Sequence, residues 1–159
     1  MDELLKLLKN NAKESSETLA KMLGGTVEEV QQRIDEYERG GIIQGYQAVI
    51  NEDKLDGAPV TAAIEVKLTA EHAGGFNRIA ERVSRFPEVR SAFLMSGGYD
   101  LLLFVHGDTL HEVASFVSEK LSTLDGVVGT ATHFMLKTYK KNDVLMHVED
   151  ETERPKVSP

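Results

Sequence analysis

Ser96-Gly97-Gly98-Tyr99-Asp100 places two glycines, a hydroxyl, a phenol and a carboxylate within five residues. Consecutive glycine amides can face inward as an anion-binding concavity suited to a carboxylate. Asp100 beside them can pair with an ammonium group, and Thr130 and Thr132 offer hydroxyls from what is expected to be the neighbouring strand. The same five residues also read as a β-hairpin turn in which Asp100 bonds turn amides. At this point both readings stand.

Other chemistry is thinly supported. Five histidines (His72, His106, His111, His133, His147) raise metal and acid-base questions, and His106 and His111 flank an expected turn. No HxH or HxxxH pair occurs and no cysteine assists, so histidines without ligand duties are the ordinary expectation. The chain lacks a nucleophile elbow, a P-loop and a GxGxxG, and Gly97-Gly98 lacks the lysine and helix of a phosphate cradle. No catalytic residue, metal ligand or cofactor is assigned, and a non-enzyme is expected.

Composition bounds the class. With 41% hydrophobic and 28% charged residues over 159 positions, the chain has the makeup of one or two globular domains. No apolar run approaches the ~20 residues that cross a bilayer, and MDELLKLLKNN is unlike a secretory signal. Without cysteine there is no disulfide framework. A soluble cytoplasmic protein with no membrane partner is expected. The net charge of -8 argues against broad electrostatic adhesion to nucleic acid.

The elements that position these residues fall into two groups. Leu4, Leu5, Leu7 and Leu8 form a helical stripe ending at Asn10-Asn11. Ser15 or Ser16 can cap a second helix carrying Leu19, Ala20, Met22 and Leu23. After Gly24-Gly25, Thr26 and Glu29 have capping-box spacing for a third helix, whose apolar face is Val27, Val30, Ile34 and Tyr37. Gly40-Gly41 stops it. Three helices with a glycine-marked turn suit a helix-turn-helix, or a generic helical subdomain. Residues 42–50 then read as extended, and 51–57 as a polar link.

The remainder alternates strand and helix: Val60–Leu68, Phe76–Phe86, Val89–Met95, Tyr99–His106, a helix from Asp108 or Thr109 to about Leu124, and a last strand from Val127. The order β-α-β-β-α-β is the ferredoxin-like arrangement, an antiparallel four-stranded sheet with both helices on one face. Its strands carry apolar residues enough for both faces, so a second subunit is expected to cover the other. Val144-Leu145-Met146 can add a short edge strand, and disorder is expected beyond. The fold class is therefore α+β. Residues 1–43 form a winged-helix-like helix-turn-helix domain, 44–58 a hinge strand and linker, 59–141 a ferredoxin-like domain, and 142–159 a polar tail.

Four segments carry a resemblance. Glu38-Arg39-Gly40-Gly41-Ile42-Ile43-Gln44-Gly45-Tyr46, followed by Ala48-Val49-Ile50-Asn51 and Leu55-Asp56, resembles the hinge after the helix-turn-helix in Lrp/AsnC regulators. Leu19-Ala20, Arg33 and Ile34 sit where that family has its motif. Ser96 to Leu102 is similar to its effector loop, and Leu124-Asp125-Gly126-Val127 with Thr130 and Thr132 to its final turn and strand. The match spans about residues 3–140. It implies a transcription regulator with a RAM/ACT-like sensor domain that binds double-stranded DNA. It also implies a homodimer that often builds a tetramer or octamer, and a small-molecule effector, usually an amino acid. Ser96, Gly97, Gly98, Tyr99, Asp100, Thr130 and Thr132 are then its expected contacts.

The third helix becomes the recognition helix, and it is awkward. Where family members often show a basic pair, this chain has Asp35 and Glu36, and carboxylates repel phosphates. Gln31, Gln32 and Arg33 can still read bases or touch phosphates. Lys13, Lys21, Arg33 and Arg39 are available backbone clamps, with Thr26, Glu28 and Glu29 completing the expected DNA face. Residues 1–50 hold six basic against nine acidic side chains. Weak binding per domain reinforced by several linked domains is one outcome; an assembly protein that has lost DNA binding is the other. From the enzyme class, a few tetrapyrrole decarboxylases resemble the same architecture. Those need converging arginines and histidines.

Overall fold

The computed structural model describes residues 1–69 and 75–147. His72 and the tail from residue 148, with the disorder expected there, lie outside them. The chain divides into two compact units, Met1–Ala48 and a second beginning at Val49.

The first unit is three helices, α1 (Glu3–Asn10), α2 (Ser16–Leu23) and α3 (Val27–Arg39). Each starts where a side chain satisfies an orphan amide. The Leu4 N–H donates to Asp2 Oδ1 at 2.9 Å, and the Thr18 N–H to Ser15 Oγ at 3.1 Å. Thr26 and Glu29 close the expected capping box, the Glu29 N–H donating to Thr26 Oγ1 and the Thr26 N–H to Glu29 Oε2. Gly24 ends α2 at φ 68°, the left-handed conformation glycine adopts without strain. Leu4, Leu8, Leu19, Ala20 and Val30 are buried together, with Ile34 and Tyr37 packed against them. Residues 42–50, read as extended, have no ladder partner among the described residues, and Glu52–Lys54 forms a single 3₁₀ turn.

The second unit contains β1 (Val60–Leu68), α4 (Gly75–Val83), β2 (Val89–Leu94), β3 (Leu101–Gly107), α5 (Leu110–Ser115) and β4 (Val127–Phe134). The expected single helix to Leu124 instead widens into a π-helical turn over Phe116–Leu121. The sheet order is β2-β3-β1-β4, antiparallel throughout, which is the ferredoxin-like α+β arrangement. One sheet face is dry. Ala62, Ile64, Val66 and Leu68 of β1 and Leu101, Leu103 and Val105 of β3 are buried with Ile79, Val83, Val113 and Phe116 from the helix layer. Removing any one of these leucines from such a core costs about 2–5 kcal/mol.

The alternate residues line the opposite face. Ala63, Leu102 and Phe104 are only half-buried, and Phe93 is 50% exposed, meeting Phe104 edge-on at 6.3 Å. Beyond the sheet, β5 (Lys140–Lys141) pairs with β6 (Val144–Leu145). The expected edge strand therefore belongs to a separate hairpin. Its turn residues Asn142 and Asp143 have φ 47° and 66°, the primed-turn geometry that matches strand twist.

Candidate functional site: the turn-flanked helix and the inter-strand loop

In the first unit, α3 buries Val30 against α1 and α2 and turns Glu28, Gln31, Gln32, Asp35 and Glu36 to solvent. Thr26 and Glu29 are engaged in the cap. The glutamines lie beside acids one helical turn on: Gln31 Nε2 donates to Asp35 Oδ1 and Gln32 Nε2 to Glu36 Oε1, both at 3.0 Å. Ser16 Oγ of α2 donates to Gln31 Oε1 at 3.2 Å, tying the two helices across the turn.

Arg33 Nη2 bonds both Asp2 oxygens, at 2.6 and 2.7 Å. Desolvation works to raise the Asp2 pKa, but the Tyr37 hydroxyl and the Arg33 guanidinium outweigh it and hold this carboxyl below its ordinary range. Arg33 is correspondingly pushed up by Tyr37 and Asp2. Asp2 and Tyr37 are absent from the expected set; the signal for Asp2 was its place immediately before an apolar helical run. Arg39 Nε donates to the Asp35 carbonyl at 3.2 Å. Lys21 is exposed in the last turn of α2, and Lys13 is exposed between α1 and α2. The structure thus places Gln31, Gln32 and Arg33 on one helix and couples each to a carboxylate.

In the second unit, Ser96, Gly97 and Gly98 form an exposed connection between β2 and β3, with Tyr99 and Asp100 half-buried behind them. Gly97 has φ 138°, a conformation that favours glycine. The loop closes where the Met95 N–H donates to the Asp100 carbonyl at 2.8 Å. Asp100 does two further things: its N–H donates to the Val66 carbonyl at 2.9 Å, and its Oδ2 accepts the Leu68 N–H at 2.7 Å. Leu68 lies beyond the last β1–β3 pair, Val66 with Leu101, so the carboxylate takes the place of a ladder carbonyl there.

Thr130 and Thr132 are not on the strand next to this loop. They lie on β4, across β1, opposite Val66 and Ile64 and on the same face as those core residues. Asp100 and Thr130 therefore flank Val66, two strand spacings or roughly 10 Å apart. Within one chain the expected contacts form two groups rather than one cleft. A groove of about 240 Å³ lies elsewhere, lined by Glu88, Glu112, Ser115, Phe116, Glu119 and Lys120.

Comparison with known proteins places this architecture. Residues 61–145 match the model of the Lrp/AsnC ligand-binding domain. The chain is 47% identical over 158 residues, 99% of its length and 95% of the relative's, to YugG of Bacillus subtilis, an uncharacterized HTH-type transcriptional regulator. It is 27% identical over 144 residues, 91% of its length and 86% of the relative's, to the leucine-responsive regulatory protein of Haemophilus influenzae. A transcriptional regulator of Neisseria meningitidis, solved as a complex with L-methionine, shares the fold. Its TM-score is 0.69 at 24% identity, over 89% of this chain and 93% of that one. Matched nearly end to end by one such relative and over more than half its length by the family model, the chain belongs to the Lrp/AsnC family of transcriptional regulators.

Proposed function

We propose that this regulator acts in the cytoplasm, reads double-stranded DNA with the exposed side of α3 and responds to an amino acid at the β2–β3 loop. It has no catalytic role and carries no cofactor. One observation carries the reading: α3 follows a glycine turn, is capped at its first turn and is held by Val30 in a three-helix core, so its polar side is rigidly presented. The effector assignment is supported by the loop chemistry. Glycine amides suit a carboxylate and Asp100 suits an ammonium group, and a protein of the same fold has been solved with L-methionine.

The half-buried apolar face of the sheet supports a homodimer built by a second copy of the chain, from which tetramers or octamers assemble. Thermal melting against the twenty amino acids tests the sensor, because a ligand bound only by the native state raises Tm. At least one amino acid is expected to do so. No shift with any of them contradicts the assignment.

A second reading, an assembly protein without DNA binding, is favoured by the pairing of Gln31, Gln32 and Arg33 with Asp35, Glu36 and Asp2. The double substitution Asp35→Asn and Glu36→Gln separates the two. If α3 faces phosphates, removing two repelled charges tightens binding to a promoter fragment. If it does not, affinity stays where it was.

A further inference from the structure

The densest cationic stretch of this acidic chain lies outside the helical unit. Lys137, Lys140 and Lys141 make 137–141 the only five-residue window with three basic residues, and no acidic residue occurs from Gly126 to Asn142. The structure displays these charges. Lys140 and Lys141 form β5, pinned to β6 by the Asn142-Asp143 turn, and Lys137 sits over the Tyr139 ring at 5.2 Å from its centroid. Tyr139 itself is 68% exposed.

Their present partners are weak ones. Lys140 Nζ reaches Asp143 Oδ1 at 3.3 Å, and Lys141 Nζ reaches Glu52 Oε1 at 3.1 Å. Exposed pairs of this kind contribute about 0–1 kcal/mol and are readily exchanged for another anion. On α3, by contrast, Arg33 Nη2 is shared between both Asp2 oxygens and its neighbours are acids.

We propose that the 137–145 hairpin is a phosphate-contacting surface for the backbone of double-stranded DNA, supplying electrostatic attraction that α3 lacks. The inference rests on the DNA-binding reading above. Lysine favours this occupant. It is a mobile point charge suited to phosphates without regard to base sequence, and it is depleted in protein–protein interfaces. The hairpin therefore adds affinity and salt sensitivity, while base choice stays with α3.

The test is the triple variant Lys137→Gln, Lys140→Gln, Lys141→Gln, titrated onto a promoter fragment and onto a scrambled duplex at several KCl concentrations, with light scattering on the same samples. Each lost phosphate contact lowers the log-log salt slope by about 0.9, so a reduction of about 2–3 per protomer is expected on both duplexes. Lys137→Gln alone, which leaves the hairpin's ion pairs intact, lowers it by about 1. A variant that keeps the wild-type slope overturns the proposal. So does one whose slope is unchanged while its oligomer dissociates, which assigns the hairpin to a protein interface. If wild type itself shows no salt-dependent binding, the DNA-binding reading falls and takes this inference with it; if wild type binds and the triple variant matches it, only this inference falls.

Discussion

Asp100 holds Leu68: the carboxylate at the start of β3 accepts the backbone N–H at the end of β1 across 2.7 Å, with the Asp100 amide on the Val66 carbonyl beside it. The residue best suited to bind an ammonium group thus also supports the sheet. Asp100→Ala removes the carboxylate and leaves a part-buried amide without its acceptor, a loss of about 1–3 kcal/mol. Asp100→Asn keeps an acceptor oxygen for Leu68 while discarding the charge. The Asn variant is expected to melt near wild type but to lose its Tm response to the amino acid that wild type recognises. A full response in that variant removes the carboxylate from the ligand site.

Gly126 combines a φ that favours glycine with a crowded setting at the end of the Ile79 side chain. At φ 92° a Cβ would stand 2.6 Å from Ile79 Cδ1, inside the core under α4. Gly126→Ala combines a strained backbone with overpacking and is expected to cost about 2–4 kcal/mol in chemical denaturation. Gly98→Ala, whose Cβ meets nothing within 4 Å, is the control and should change stability little.

Acid should loosen the helical unit through Asp2. Its carboxyl is depressed in the folded state, so the stabilisation it lends is present above the unfolded value of about 3.9 and disappears as pH falls through the lower folded value. Glu88, held down by Lys120 against its own desolvation, adds a similar loss in the second unit. Helical circular dichroism followed from neutral pH into acid should show Asp2→Asn with a shallower loss than wild type. Identical acid limbs would remove Asp2 from the account.

The outer sheet face predicts a separation of assembly from folding. Phe104 is half-buried there, beside the half-exposed Phe93. Phe104→Asp places a charge on that face without entering the dry core between sheet and helices. Sedimentation should show the variant reduced to monomer with its circular dichroism retained. A variant that stays dimeric places the subunit contact elsewhere.

Periodicity made most of the fold legible. The capping box at Thr26 and Glu29 and the span of β1 follow directly from residue types and spacing, because caps and alternation are local signals. The π-helical turn at Phe116 was not legible, since one widened turn of six residues is too short to change the apolar period of the helix around it. Nor was the hairpin at Lys140, whose short strands pair, among the described residues, with each other. Near the candidate site the place of residues 96–98 between two strands was legible, but Thr130 and Thr132 were expected one strand too near. Adjacency in a ferredoxin-like sheet is set by the crossover that puts β1 between β3 and β4, not by chain order. The Asp2–Arg33 contact joins residues 31 positions apart and has no local signature.

The most direct measurement is fluorescence anisotropy of a labelled fragment of the protein's own promoter, titrated at low and moderate salt with and without the amino acid that raises Tm. Binding is expected to weaken steeply with salt, and its affinity or stoichiometry to change when the amino acid is added. Absence of binding at low salt, or binding indifferent to every amino acid, would contradict an effector-responsive DNA reader.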